Sequence, residues 1–485
     1  MQTNILSLLL SHAVTLSRTR LPSPMIPRDK VSIWSILKNC IGKDLSKITM
    51  PVVFNEPLTM LQRSIEVIQY SNFLKLADSS DDPIERMELV CAFIVVGLSA
   101  NCHRIIKPFN PLLYETYEYD HELEDGSHIK GLAQQVSHHP PITAAYIESD
   151  NFVFNGSVNP KIKFWGRSIE VQPDGQCRVY LKRHKESYLF KSVSCCVNNI
   201  IVGKLWFEHV GPLDIKCPET NISANLSFKQ AGWFSNDLHR FDGYIATTDE
   251  KGAEKKIKFL YGKWSDYMKT VDYTEYETYL KENQQKLFRI PDAPDQSNGL
   301  DSMMDKLKLS KAQNSVNNNI IPTSSKGRDS TSSSSLPKLF NKSGDKKSNY
   351  SKSESIQSLD IPNSRTLWKL ESQYLEEYYN FTLFTMKLNE LPPDAESILP
   401  KSDSRFRPDV RKLEEGDIDG AANEKHRLEE KQREARARDK RFKDPSADML
   451  FFELKSFPDS KEKFWVYKGE YWESKCNPDK FPDLF

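Results

Sequence analysis

The sequence predicts an α+β fold, in which a helical layer leads into a large, mostly antiparallel sheet or barrel. Three observations carry this expectation. From Met60 to Arg104 apolar residues, among them Leu61, Ile65, Ile68, Met87, Val90 and Phe93, recur at helical spacing. From about Pro108 to Asp272 the texture changes to short β-rich runs broken by turn residues. Near the C-terminus, Glu424 to Lys440 reads as a helix with almost no apolar face, followed by an aromatic stretch from Phe464 to Trp472. With 38% hydrophobic and 11% aromatic residues in 485, a sizeable core is available. A mean hydropathy of -0.59 argues for a globular chain that does not span a membrane.

The elements follow in order. Ile5 to Leu10 is apolar, but no Lys or Arg precedes it and it is far shorter than the about 20 residues that span a bilayer, so residues 1–30 are expected to be a disordered leader. Ile33, Trp34, Ile36, Leu37, Cys40 and Ile41 share one helical face ahead of Gly42. That short helix either packs on its own core or serves as a mobile lid or membrane-touching element. Strands are expected at Phe152-Val153-Phe154, Lys161 to Trp165, Arg178 to Leu181, Ile200 to Phe207 and Ile257 to Tyr261, with turns at Asn155-Gly156 and Asp174-Gly175. Residues 292–363 are rich in Ser, Asn, Lys and Pro and too poor in apolar groups to offset ordering entropy, so a disordered insertion is expected there. Strand texture resumes at Trp368 and at Tyr379 to Phe384, so the insertion interrupts one domain.

Charge excludes some functions. Lys plus Arg equals Asp plus Glu at 67 each, which gives no global field for nucleic acid, and no nucleic-acid partner is expected. The eight cysteines show no CxxC spacing, so reduced thiols are expected, with neither a metal site nor a cofactor. Cys177 to Arg183 fits a Cys-x5-Arg phosphatase pattern, yet the intervening residues alternate like a strand where a phosphate cradle needs a tight loop of backbone N–H groups. No Walker-type loop, Gly-x-Ser-x-Gly elbow or HExxH helix is present, and no catalytic residue is expected.

The segment that carries most information is Gln135-Val136-Ser137-His138-His139-Pro140-Pro141. Two imidazoles precede two prolines expected to hold the chain extended, so the rings should point opposite ways and not chelate one metal. Both could grip an anionic group as hydrogen-bond donors with pKa values near neutral. The stretch resembles the fingerprint of the oxysterol-binding protein-related family, with Gln134 where Glu is usual. Lys107 to Leu113, Ile200 to Trp206 and Leu428 to Arg433 resemble further signatures of that family. Ser32 to Pro57 is most similar to the vertebrate subgroup of related proteins one and two. Tyr114 departs from the pattern, which normally has Gly there.

The resemblance, from about Ser32 to Phe485, implies an incomplete antiparallel β-barrel around a hydrophobic tunnel, with an N-terminal lid, a helical layer and a C-terminal helical subdomain. In these terms residues 31–485 form one lipid-binding domain: lid and hinge 31–51, helical layer 52–106, barrel 107–291 and 364–416, and C-terminal subdomain 417–485. It implies exchange of a sterol for a phosphoinositide, a mono- or bisphosphate, by a cytoplasmic protein that touches membranes peripherally. An endoplasmic reticulum membrane receptor is a candidate partner, although no acidic short motif for one stands out. Head-group contacts would come from Lys107, Asn110, His138, His139, Lys425, Glu429 and Arg433, and the lid and tunnel would draw on Trp34, Leu37, Ile41, Leu45 and Ile48.

Helix spacing allows Glu429 to brace both Lys425 and Arg433, although a solvated charged face would look the same. Three cations less one carboxylate, supplemented by protonated His138 and His139, would balance a phosphomonoester of about -1.5 to -2 and its diester. A lid is expected because each exposed CH₂ of a diacyl lipid costs about 0.8 kcal/mol. The alternative is a lipid sensor that signals through protein partners at membrane contacts, with the Ser-rich insertion as its arm.

Overall fold

In a computed structural model of the chain, the described residues are 18–26, 37–38, 50–122, 126–201, 205–231, 238–287, 361–370, 374–438, 449–456, 463–475 and 477–485. They fall in two compact units, Met1–Tyr276 with Ile361–Phe485, and Glu277–Asp360. Of the second, residues 277–287 are described, the end of a helix that starts at Tyr273.

The helical layer forms where the periodicity places it. Helix α1 (Met60–Ile65) opens with a capping box: Thr59 Oγ1 accepts the Gln62 N–H, and Gln62 Oε1 accepts the Thr59 N–H at 2.7 Å. After α2 (Asn72–Ser79) comes α3 (Pro83–Ser99), which starts on Asp82, whose carboxylate accepts the Ile84 N–H at 2.9 Å, with Pro83 in its first turn. Helix α3 is buried on nearly every side, so Leu89, Val90, Phe93 and Val95 each contribute roughly 1.5–3 kcal/mol through burial.

The main unit is built on one antiparallel sheet. Its strands are β3 (Thr116–Glu122), β4 (His128–His138), β5 (Pro141–Ser149), β6 (Phe152–Val158), β7 (Pro160–Phe164), β8 (Ser168–Pro173), β9 (Gln176–Leu181), β10 (Glu186–Lys191), β11 (Ser194–Asn198), β12 (Trp206–Cys217), β13 (Ile222–Phe228), β14 (Arg240–Thr248), β15 (Glu254–Lys263), β16 (Tyr267–Asp272) and β17 (Arg365–Lys369). The path runs β17-β16-β15-β14-β13-β12-β10-β9-β6-β5-β4-β3, and β11, β8 and β7 branch from β12. The two ends do not pair, so the barrel is incomplete. The edge at β3 is covered by residues 402–405: Thr116 donates its N–H to the Ser402 carbonyl at 2.9 Å and Arg405 donates to the Glu118 carbonyl at 3.1 Å. Helix α3 packs against β13, β14 and β17, and its apolar side chains join those of the strands in one core.

A short parallel pair, β1 (Asn55–Thr59) and β2 (Lys107–Phe109), leads into and out of the helical layer. After the sheet come α4 (Tyr273–Leu287), α5 (Leu383–Lys387), α6 (Ala395–Ile398), α7 (Pro408–Glu414), α8 (Ile418–Arg438), the hairpin β18 (Phe452–Ser456) with β19 (Lys463–Tyr467), and α9 (Tyr471–Ser474). The aromatic C-terminus docks back on the sheet, where Trp465 and Tyr471 pack with Leu132, Val136 and Tyr146.

Several local expectations are corrected. Asn155-Gly156 is not a turn but the middle of β6, paired with β5 and β9, where a ladder on both sides overrides turn propensity. Asp174-Gly175 does turn, between β8 and β9; a Cβ on Gly175 would lie 1.8 Å from the Ser157 carbonyl oxygen, so only glycine fits. Tyr379 to Phe384 is not a strand, because Tyr379 and Asn380 take left-handed φ of 58° and 57°. The barrel expected over 364–416 ends at β17, and the described residues beyond it carry α5, α6 and α7. Within the expected leader, residues 18–26 are seated on the body: Leu21 is buried, Arg18 pairs with Glu414 at 2.6 Å, and the Met25 N–H reaches the Glu377 carbonyl at 2.8 Å. Ile361, expected inside the insertion, is also buried.

Candidate functional site

Three segments distant in sequence meet at the candidate site: the loop after β2, the β4–β5 turn and helix α8. Lys107 opens β2, opposite Asn55, whose amide donates to the Pro108 carbonyl at 3.0 Å. In the following loop the Asn110 carbonyl accepts Arg407 Nη1 at 2.9 Å, while the Leu112 N–H is held by Glu115 at 2.8 Å and the Leu113 N–H by Gln432 Oε1 at 2.7 Å. The Asn110 side chain is exposed. Tyr114 keeps the turn that glycine usually makes, with φ of 71°, and its ring is buried among Leu113, Val136 and Phe451.

The His pair sits differently from the expectation. His138 pairs with Pro141, so the two prolines close a tight β4–β5 turn and do not extend the chain; the His139–Pro140 peptide is cis. The rings meet edge to face, 4.6 Å between centroids. His138 is pushed down to about 4, by burial first and then by His139, against a backbone hydrogen bond to Pro111. It is neutral near pH 7, which corrects the expectation of a near-neutral pKa and an imidazolium at this position. Its Nδ1 is buried without a hydrogen-bond partner.

Helix α8 supplies the third wall. Lys425 is buried and pairs with Glu429 at 2.7 Å. Lys107 is pushed down to about 8, by burial first and then by Lys425, with Glu429 opposing and Arg407 adding to the shift. Glu429 thus pairs with Lys425 and offsets the charge of Lys107 only in part. Arg433 does not join them: its side chain is 69% exposed and turns to Glu430 instead of Glu429.

Sequence reasoning missed Arg407, Gln432 and Arg436. Arg407 is buried, bridges Asp409 at 2.8 Å and Glu115 at 2.9 Å, and acts electrostatically on both Lys107 and His138. Arg436 also acts on His138. Gln432 and Arg436 stand seven and eleven residues after Lys425, which is one helical stripe and was a usable signal. Among the lid residues, Leu37 is fully buried against Phe164 and Ile200. Trp34, Ile41, Leu45 and Ile48 lie outside the described residues.

The phosphatase-like pattern makes no cradle. Cys177 lies on β9 with its thiol pushed up to about 11 by burial, and Arg183 turns away to Asp81 at 2.6 Å. Among the described residues no group of three or more His, Cys, Asp or Glu could hold a metal ion, and no helix is long and apolar enough to cross a membrane.

The chain is similar in sequence and fold to known proteins. The chain is 38% identical over 480 residues to rat (Rattus norvegicus) oxysterol-binding protein-related protein 1, covering 98% of this chain but only 45% of that protein. It is 37% identical over 476 residues to mouse (Mus musculus) oxysterol-binding protein-related protein 2, covering 96% of this chain and 88% of that one. The crystal structure of the Osh1 ORD domain in complex with cholesterol superposes with a TM-score of 0.70 at 28% identity, covering 96% of this chain and 94% of that one. The Osh3 ORD of Saccharomyces cerevisiae in complex with PI(4)P gives 0.65 at 25% identity, covering 96% and 98%. With residues 32–476 matching the family model described as oxysterol-binding protein, the chain belongs to the oxysterol-binding protein family.

Proposed function

We propose that this chain carries lipids between membranes, holding a sterol or a phosphoinositide one at a time, as a cytoplasmic protein in transient contact with bilayers. Lys107, Lys425, His138 and His139 would meet the phosphorylated head group, with Asn110 beside them and Glu429 and Arg433 on the flank. The observation that carries this reading is that a buried Lys107 stands within electrostatic reach of Lys425, whose own charge is taken by Glu429, next to a buried His138 Nδ1 without a partner. A phosphomonoester of charge about -1.5 to -2 supplies both the missing negative charge and the acceptor oxygens. Neutral His138 has a single N–H; placed on Nδ1 in exchange for the Pro111 carbonyl contact, it makes the ring a donor to the phosphate, and the positive charge comes from the lysines. The sterol and phosphoinositide complexes of the structural neighbours support one fold serving both ligands.

A liposome transfer assay tests the division of labour. The double substitution His138→Ala/His139→Ala should reduce phosphoinositide extraction by at least about tenfold, as expected when two head-group hydrogen bonds are lost, and leave sterol extraction intact. Equal loss of both, in a variant with an unchanged unfolding midpoint, would sink the assignment.

A further inference from the structure

We propose that the outward face of β7 and the turn after it, with Lys161, Lys163, Trp165, Arg167 and the nearby Ile201, docks on an anionic phospholipid bilayer. The surface deepens the lipid-transfer reading and takes its biological use from it, but its own chemistry carries it. Side chains alternate along this segment: Lys161, Lys163, Trp165 and Arg167 are exposed, while Ile162 and Phe164 turn inward. The result is a basic row that ends in an aromatic ring. Trp165 is 57% exposed and Ile201 45%. The Trp165 N–H closes the turn on the Ser168 carbonyl at 2.9 Å, and the Ile200 N–H bonds the Arg167 carbonyl at 3.1 Å, so Ile201 follows a residue bonded to that turn.

The polar edge of the indole is satisfied by the protein, with Trp165 Nε1 donating to Glu170 at 2.8 Å, while the Lys163 ammonium lies 5.9 Å from a Trp165 ring centroid. An aromatic body flanked by cations suits the depth of lipid head groups, where the ring reaches the acyl boundary and the cations meet phosphates. Glu170, which holds the indole and faces Lys163 across the ladder, and Asp174, which holds Lys161 at 2.6 Å, oppose that charge, so three cations exceed two carboxylates by one. The reverse side of the same turn, Phe164 with Ile200, packs on Leu37 of the expected lid. A bilayer docked here would therefore touch the residues adjoining the lid contact.

The test is co-sedimentation of the full chain with phosphatidylcholine vesicles, with and without about 30% phosphatidylserine, free of sterol and phosphoinositide. Binding should favour the anionic vesicles. Trp165→Ala/Ile201→Ala should weaken it about tenfold, and Lys163→Glu about fivefold with a shallower salt dependence. Leu454→Ala, an exposed apolar side chain on β18, should leave it unchanged. Wild-type vesicle binding in both β7 variants, or equal loss with Leu454→Ala, overturns the proposal. Binding of a short-chain, water-soluble phosphoinositide is measured alongside: the docking variants should retain it, whereas its absence in the wild type alongside normal docking would discredit the transfer reading alone.

Discussion

Lys107 gives the proposed head-group site a pH dependence whose sign follows from burial. An ordinary lysine titrates at 10.5, and this one is pushed down to about 8. A bound phosphate raises that value again, so binding takes up a proton wherever free Lys107 is neutral. Affinity for a short-chain phosphoinositide should hold up to pH 7 and fall about tenfold by pH 9, as calorimetric titration would show; His138, pushed down to about 4, adds no step near pH 6. Lys107→Gln should flatten the profile, and a wild-type affinity constant across this range would contradict the role. At this scale Lys107 and the His pair of the proposed site could be named from the sequence, because they lie in compact motifs. Their charge states could not, since burial comes from remote residues: Arg407 reaches the Asn110 carbonyl across 297 positions. Tyr114 could be recognised as a departure from glycine, but not that its buried ring, worth roughly 1.5–3 kcal/mol, offsets a left-handed backbone costing about 1–2 kcal/mol.

Helix α8 shows what spacing alone can and cannot decide. Positions 425, 429, 432, 433 and 436 all lie near one face, so the charged run marks a stripe without saying which members face the fold. The structure separates them: Lys425 and Gln432 point to the β2 loop, whereas Arg433 is exposed. Gln432 holds the Leu113 N–H next to the Asn110 turn, so it acts as a positioning residue. Gln432→Ala should cost about 0.5–1.5 kcal/mol of stability in urea unfolding and weaken phosphoinositide binding severalfold, while Gln432→Glu, which keeps the acceptor but adds a charge that repels phosphate, should recover the stability and not the affinity. No change in affinity with Gln432→Ala would mean the loop is held without it. Of the elements that sequence reasoning placed well, β7 and β9 alternate, whereas α3 and β15 carry apolar runs that local pattern reveals. Those it misplaced, the β6 turn and the strand at Tyr379, were decided by pairing partners or by left-handed residues that local pattern does not reveal.

On the scale of the molecule, the sheet stays open between β3 and β17, and the two edges are managed by different parts of the chain. Residues 402–405 cover β3, while β17 follows directly on Ile361, which is buried and donates its N–H to the Tyr261 hydroxyl at 3.4 Å. Arg365 of β17 then pairs with Glu88 of α3, which also accepts the Thr270 hydroxyl at 2.6 Å, so the last strand is tied to the central helix as well as to β16. The core-forming chain therefore resumes at Ile361, a little before the end expected for the Ser-rich segment. If that segment is a connection between β16 with α4 and β17, and not a layer of the core, its length should matter only through loop-closure entropy, which changes slowly. Deleting residues 292–353 should then leave the unfolding free energy unchanged or raise it by on the order of 1 kcal/mol, with sterol and phosphoinositide extraction intact. Extending the deletion through Asn363 removes Ile361 and its hydrogen bond and should cost about 2–5 kcal/mol, the range for a buried aliphatic side chain lost from a core. Equal destabilisation by the two deletions would place the Ser-rich segment in the core.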